Sequence, residues 1–163
     1  VCARQGSSGP GEMMGFFERD FKALFQLLEK ADVVIGFNNE NFDMPALVPY
    51  YSGDMSRIPT LDVMNRIKDS VGHRIGLDAV AQATLGIGKS GDGLDAIKYY
   101  KNGDFEALKK YCLQDVAVTR DVYDYGLTKG QIKFHNKWNR LIECKVDFSF
   151  TPKKDSGVQM SLI

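Results

Sequence analysis

The spacing of apolar residues along this chain changes several times, and each change marks a predicted element. Residues 1–4 and 13–17 read as two short strands joined by a turn through Gly6, Ser7, Ser8, Gly9, Pro10 and Gly11. Residues 20–30 follow helical period, with Phe21, Leu24, Phe25 and Leu28 on one face. Residues 31–36 are a short, nearly uncharged apolar run, as expected of a strand buried in a parallel sheet. Residues 42–51 predict a helix that Pro45 starts and Pro49 stops early. Residues 60–64 are extended and lead into a helix over 65–71. Further helices are predicted over 77–85, 92–101 and 104–125. The last is the longest, with Asp104 as its N-cap and Gly126 and Gly130 ending it. Residues 131–135 and 141–148 read as strands of a C-terminal appendage.

The order strand, strand, helix, strand, helix, then mostly helices, predicts an α/β layered fold. At 163 residues the chain has the length of one domain with one core. That domain is expected over residues 1–150. Residues 151–163 are expected to form a flexible tail, because the segment 151–158 lacks the apolar content to fold alone.

Composition changes this picture little. Twenty-one basic residues balance 21 acidic ones, so no global field draws the chain to nucleic acid. The balance is local, however: from Thr128 onward Lys129, Lys133, Lys137, Arg140, Lys145, Lys153 and Lys154 face only Glu143, Asp147 and Asp155. Such a basic third fits either a phosphate-tracking surface or an ordinary solvated, lysine-decorated one. The three cysteines Cys2, Cys112 and Cys144 share no close spacing, which argues against a disulfide framework or a zinc cluster. Cys112 is expected as a small buried hydrophobe. No stretch is long and apolar enough to span a membrane and no signal peptide opens the chain, so a cytoplasmic protein without membrane contact is expected.

The candidate chemistry lies in two segments. Tyr111 and Asp115 are four residues apart on the longest helix and project from one face. Far upstream, Asp43 closes the polar turn Asn38-Asn39-Glu40-Asn41-Phe42-Asp43 behind the apolar run Val33-Val34-Ile35. A phenol and two carboxylates of this kind suit a site for hard divalent cations, Mg²⁺ or Mn²⁺. Asp43 has a competing reading as a helix cap, since it precedes Pro45. Asn38 has one as a residue satisfying its own turn.

These residues also carry a family resemblance. Asn38-x3-Phe42-Asp43-x3-Leu47 resembles the second motif of the 3′–5′ exonucleases named for four acidic residues, the DEDD group of the ribonuclease H-like superfamily. Tyr111-x3-Asp115, continued by Val116, Thr119 and Tyr123, resembles the third motif of the tyrosine-bearing subgroup. The resemblance runs from about Phe17 to about Leu127. It implies a ribonuclease H-like fold with a mixed sheet and flanking helices. It also implies hydrolysis of terminal phosphodiesters at single-stranded DNA or RNA 3′ ends by two metal ions. Asp43 and Asp115 are the implied metal ligands, Tyr111 orients the attacking water, and Asn38 and Phe42 lie beside the terminal nucleotide. The family's first motif, Asp-x-Glu on the opening strand, is missing, because Glu12, Glu18, Asp20 and Glu29 form no such pair. The chain is therefore expected to be an N-terminally incomplete version of the fold, with a divergent complete domain as the alternative. Alternative functions are a catalytically inactive, clamp-tethered nucleic-acid-binding module and a P-loop nucleotidase.

Three further features were weighed. Asp62 follows an extended segment and reads most simply as an N-cap. Residues 83–90 resemble a relaxed P-loop ending in Lys89 and Ser90, but helical periodicity in residues 77–85 denies it the strand that must feed it. A loop between helices is expected there, with Lys89 reaching a nucleic-acid phosphate. The terminal residues Gln159, Met160, Ser161, Leu162 and Ile163 resemble the peptide by which bacterial replication proteins bind the sliding clamp. Gln159 would set the register, and Met160, Leu162 and Ile163 would fill apolar pockets.

Overall fold

Helix α6, Phe105–Lys129, is the element against which helices α4 and α5 and strands β1 and β5 pack. The computed structural model describes residues 1–4, 11–87 and 93–151. In chain order the elements are β1 (Cys2–Ala3), β2 (Glu12–Met13), α1 (Phe21–Glu29), β3 (Val34–Gly36), α2 (Asp43–Leu47), β4 (Thr60–Asp62), α3 (Val63–Val71), α4 (Leu77–Leu85), α5 (Gly93–Lys101), α6, β5 (Gln131–His135) and β6 (Leu141–Lys145). Among the described residues the strands form three pairs. β1 and β2 are antiparallel, β3 and β4 are parallel with Val34 opposite Thr60, and β5 and β6 are antiparallel. The α/β class expected from the order of elements is thus the one observed.

At 25 residues, α6 is about 37 Å long. Asp104 caps it as expected, accepting a hydrogen bond from the Ala107 N–H at 3.0 Å. The helix does not end at Gly126. That glycine is a packing residue: a Cβ there would lie 2.2 Å from the ring of Phe148, which stacks on Tyr123 with centroids 6.0 Å apart. The stop is Gly130, whose φ of 66° closes the helix in the left-handed region. Val118, Val122 and Tyr123 face the main core with Leu61, Val63, Ile67, Val80, Ile132 and Phe134. Arg4 forks onto Asp124 at 2.6 and 2.8 Å, fixing the start of the chain to the same helix.

Two other elements begin earlier than predicted. Helix α2 starts at Asp43 rather than Pro45, since a proline in the first turn has no amide the helix needs. A second core of Leu24, Phe25, Leu28, Met44 and Ile58 holds α2 against α1. Helix α3 starts at Val63 because Asp62 caps it. In the last turn of α4, the Thr84 hydroxyl accepts from Lys133 N–H at 2.9 Å and donates to Lys133 C=O at 3.0 Å. It thereby stands in for a neighbouring strand beside β5. Lys89 and, within the expected tail, residues 152–163, the terminal peptide 159–163 among them, lie outside the described residues.

Asp62 is 2% exposed, and its carboxylate accepts from four backbone N–H groups. Met64 and Asn65 donate at 3.0 and 3.3 Å from α3, while Asn38 and Glu40 donate at 2.8 and 3.2 Å from the loop after β3. One side chain therefore caps a helix and pins the polar turn. Replacing Asp62 with alanine strands several of these donors and is expected to cost roughly 3–5 kcal/mol in a urea melt. A loss under about 1 kcal/mol would show that the turn is held by something else.

Candidate functional site

The parallel pair β3–β4 ends where the polar turn and Asp62 meet, at the carboxyl edge where open α/β sheets usually place their ligands. Glu40 adds to the tie, accepting from the Thr60 hydroxyl at 3.1 Å and the Asn65 amide at 2.8 Å. Asn38 takes a φ of 64°, which asparagine tolerates better than most residues. Asn39 is 4% exposed and lies over Gly36, where a Cβ would come within 2.5 Å of it. The Asn38 side-chain oxygen and both polar atoms of the Asn39 amide are buried, with no hydrogen-bond partner among the described residues. Within its own turn Asn38 contributes its backbone C=O, which accepts from the Asn41 N–H at 3.3 Å; its N–H goes to Asp62 and its carboxamide oxygen is left over. Unmet buried polar atoms are costly, and they are concentrated here in the motif next to Asp43.

The capping reading of Asp43 does not hold. Phe42 occupies the N-cap position of α2 and no side chain caps that end. Phe42 itself is 68% exposed and presents its ring to solvent. Asp43 is exposed as a residue, yet enough protein surrounds its carboxyl to limit hydration. Burial pushes its pKa up, its own N–H pulls it partly back, and the charge of Asp62 raises it further.

Tyr111 and Asp115 come together on α6 as the spacing requires. Burial and the charge of Asp78 raise the Asp115 pKa, while a hydrogen bond from Tyr111 lowers it. The Tyr111 hydroxyl is pushed up by burial and then by Asp115, Asp78 and Asp95, so at neutral pH it keeps its proton and can donate. Asp78, in the first turn of α4, is a neighbour that sequence reading missed. A lone aspartate there reads as a favourable charge at a helix start, and nothing local signals its approach to Asp115.

Cys112 corrects an expectation, because it is exposed rather than part of the core. It lies on the outward side of α6, among the candidate ligands. Its thiol is pushed up by burial and by Asp115, pulled down by the Val1 amino group, and pushed up again by Asp43. Cys112 is thus influenced by both Asp115 and Asp43, while neither carboxylate is among the causes that shift the other. Val1, hydrogen-bonded to Met14 C=O at 2.8 Å, brings the start of β1 to the same place.

The donor set is carboxylate, carboxamide and phenol oxygen, which fits a hard divalent cation rather than a soft one. The orphaned Asn38 oxygen and the two carboxylates with raised pKa are groups that such a cation would satisfy. Among the described residues no three His, Cys, Asp or Glu side chains are grouped to hold a metal. The P-loop alternative lacks its frame: a helix, α4, feeds residues 83–90, and Gly86 closes that helix with φ 71°. Among the described residues no helix is long and apolar enough to cross a membrane.

A family model described as the RNase H superfamily matches residues 13–126, a span containing Asn38, Asp43, Asp62, Asp78, Tyr111 and Asp115. No curated protein and no solved structure matches the chain. Domains of this superfamily are nuclease-type: they work on nucleic acid and generally use divalent metals such as Mg²⁺. With well over half its length matched, this chain belongs to the RNase H superfamily.

Proposed function

We propose that the chain is a 3′–5′ exonuclease domain of the tyrosine-bearing DEDD type, acting on single-stranded DNA or RNA ends. The observation that carries this reading is the Tyr111–Asp115 pair on one face of α6, with Asp43 acting on the same Cys112 thiol as Asp115. Asp43 and Asp115 are the proposed ligands of a divalent cation, with Mg²⁺ or Mn²⁺ filling a complete two-ion site. When bound, the cation supplies positive charge against phosphate oxygens and acidity to a nearby water. In the free protein the single Tyr111 O–H donates to Asp115; with a cation holding Asp115, that proton would turn to the attacking water and orient it. The exposed ring of Phe42 offers a face to the terminal base, and Asn38 is proposed to lie beside the same nucleotide. Water oxygen bonds to phosphorus as the bond from phosphorus to the penultimate 3′ oxygen breaks, releasing a nucleoside 5′-monophosphate. The remaining two carboxylates of a four-carboxylate site are proposed to come from an Asp-x-Glu strand packed beside β1. Residues 159–163 are kept as a proposed clamp-docking peptide.

A chain carrying an Asp-x-Glu strand ahead of Val1 is expected to release mononucleotides from labelled 3′ ends when Mg²⁺ or Mn²⁺ is present. The chain starting at Val1 should do so slowly or not at all. Binding without release in the extended chain would favour the inactive nucleic-acid platform, and release from 5′ ends would contradict the proposal.

Two substitutions separate the roles. Asp115→Asn should lower turnover at least about 100-fold, whereas Tyr111→Phe should lower it roughly 10- to 100-fold and leave metal affinity nearly unchanged. Asp115→Asn should also raise the unfolding midpoint at pH 7. Because burial raises its pKa, Asp115 stabilises the fold most below the ordinary carboxylate range, and that contribution is lost as pH rises through its elevated pKa. The asparagine variant removes the penalty, so its advantage should shrink as pH is lowered through that window. Thermal melts from pH 3 to pH 8 check the sign, and a variant less stable than the parent at pH 7 would contradict it.

A further inference from the structure

A second surface stands apart from the Tyr111–Asp115 motif, where the loop before α4 faces the β5–β6 hairpin. It encloses a cavity of about 540 Å³, within the rough 300–1,000 Å³ range of small-ligand sites. His73 and Arg74 line it from one side, and His135, Lys137 and Trp138 line it from the other; none of its lining residues is acidic. In a chain whose net charge is zero, this is a local concentration of cationic and hydrogen-bonding groups. Lys133, nearby on β5, is already paired with Glu143 at 2.9 Å, so the basic C-terminal third is not uniformly free.

The hairpin tip is built to hold its shape. The Asn136 side chain accepts from the Trp138 and Arg140 N–H groups, both at 3.0 Å, and Asn139 takes a φ of 57° to close the turn. This rigid turn presents Trp138 at 68% exposure, with the Lys137 ammonium 4.4 Å from its ring centroid. Across the cleft, the His73 ring meets the edge of buried Phe134 at 6.1 Å, which orients the histidine. An exposed indole presents a flat face on which a planar group can stack, and the charge beside it selects what that group carries.

We propose that this cleft binds single-stranded polynucleotide, with a base stacked on Trp138 and the flanking phosphates on Lys137 and Arg74. Stacking on an aromatic platform beside unpaired cations is the chemistry by which proteins hold single strands without reading sequence. The assignment of nucleic acid as the partner rests on the nuclease reading, but the cleft uses none of the residues assigned to hydrolysis. It adds a second point of attachment, by which a strand would be held while its end is processed.

Trp138 is the only tryptophan in the chain, so its fluorescence reports on this cleft alone. Titrating the protein with a twelve-nucleotide oligo(dT) or oligo(rU) in EDTA, where no hydrolysis occurs, should quench that emission. Anisotropy of a labelled oligonucleotide should show that Trp138→Ala weakens binding roughly 5- to 100-fold, the loss of one stacked base, while Trp138→Phe retains most of it. Lys137→Ala or Arg74→Ala should lower the slope of log affinity against log salt by about 0.7 each. Asp115→Asn should leave the quenching intact, which separates failure of this cleft from failure of the nuclease reading. Absence of quenching by both oligonucleotides would overturn the proposal. Equal quenching by poly-glutamate would overturn it too, in favour of an acidic protein partner. Trp138 is exposed, so its variants should fold, and unchanged far-UV circular dichroism verifies that.

Discussion

One buried carboxylate joins the two halves of the site's scaffold. Asp62 ends β4, caps α3, and accepts backbone N–H groups from Asn38 and Glu40 in the turn after β3. Two parallel strands of three residues each are too short to fix a loop by ladder hydrogen bonds alone. A charge-assisted network at their carboxyl ends supplies the missing rigidity. Asn38 adopts its left-handed backbone, Asn39 is pressed onto Gly36, and α2 starts at Asp43 because this turn is held in place.

The turn is under electrostatic tension that a cation would relieve. Asp43 feels Asp62, Asp115 feels Asp78, and burial raises both candidate ligands. Three amide atoms of Asn38 and Asn39 are buried without a partner. Each feature costs stability in the free protein, and each is the kind of local inconsistency that functional sites retain. Tyr111 remains a protonated donor for the same reasons that raise its neighbours: burial first, and then the negative charge of Asp115, Asp78 and Asp95.

Much of this was legible in the chain because it depends on local period. The helical spacing of Tyr111 and Asp115, the capping by Asp104 and the helical approach to residues 83–90 follow from neighbours in sequence. Asp62 was recognised as a cap, but its hold on a turn more than twenty residues upstream is tertiary and left no local mark. Gly126 read as a stop because glycine often ends helices; the reason for it is a phenylalanine arriving from residue 148. Cys112 was expected in the core since small thiols usually are, yet the face of α6 it shares with the site opens outward. Asp78 and the pairing of His73 with His135 across one cleft were invisible for the same reason, being contacts between distant segments.

The central claim is that Asp43 and Asp115, from separate elements, serve one cation site. Paramagnetic broadening by Mn²⁺ in two-dimensional NMR tests it most directly, since the effect falls steeply with distance from the ion. At substoichiometric Mn²⁺, resonances of Asp43, Cys112 and Asp115 are predicted to broaden together, to recover on adding excess Mg²⁺, and to persist when Asp43 or Asp115 is replaced by asparagine. Broadening confined to one of the two carboxylates, or centred elsewhere on the surface, would contradict the account.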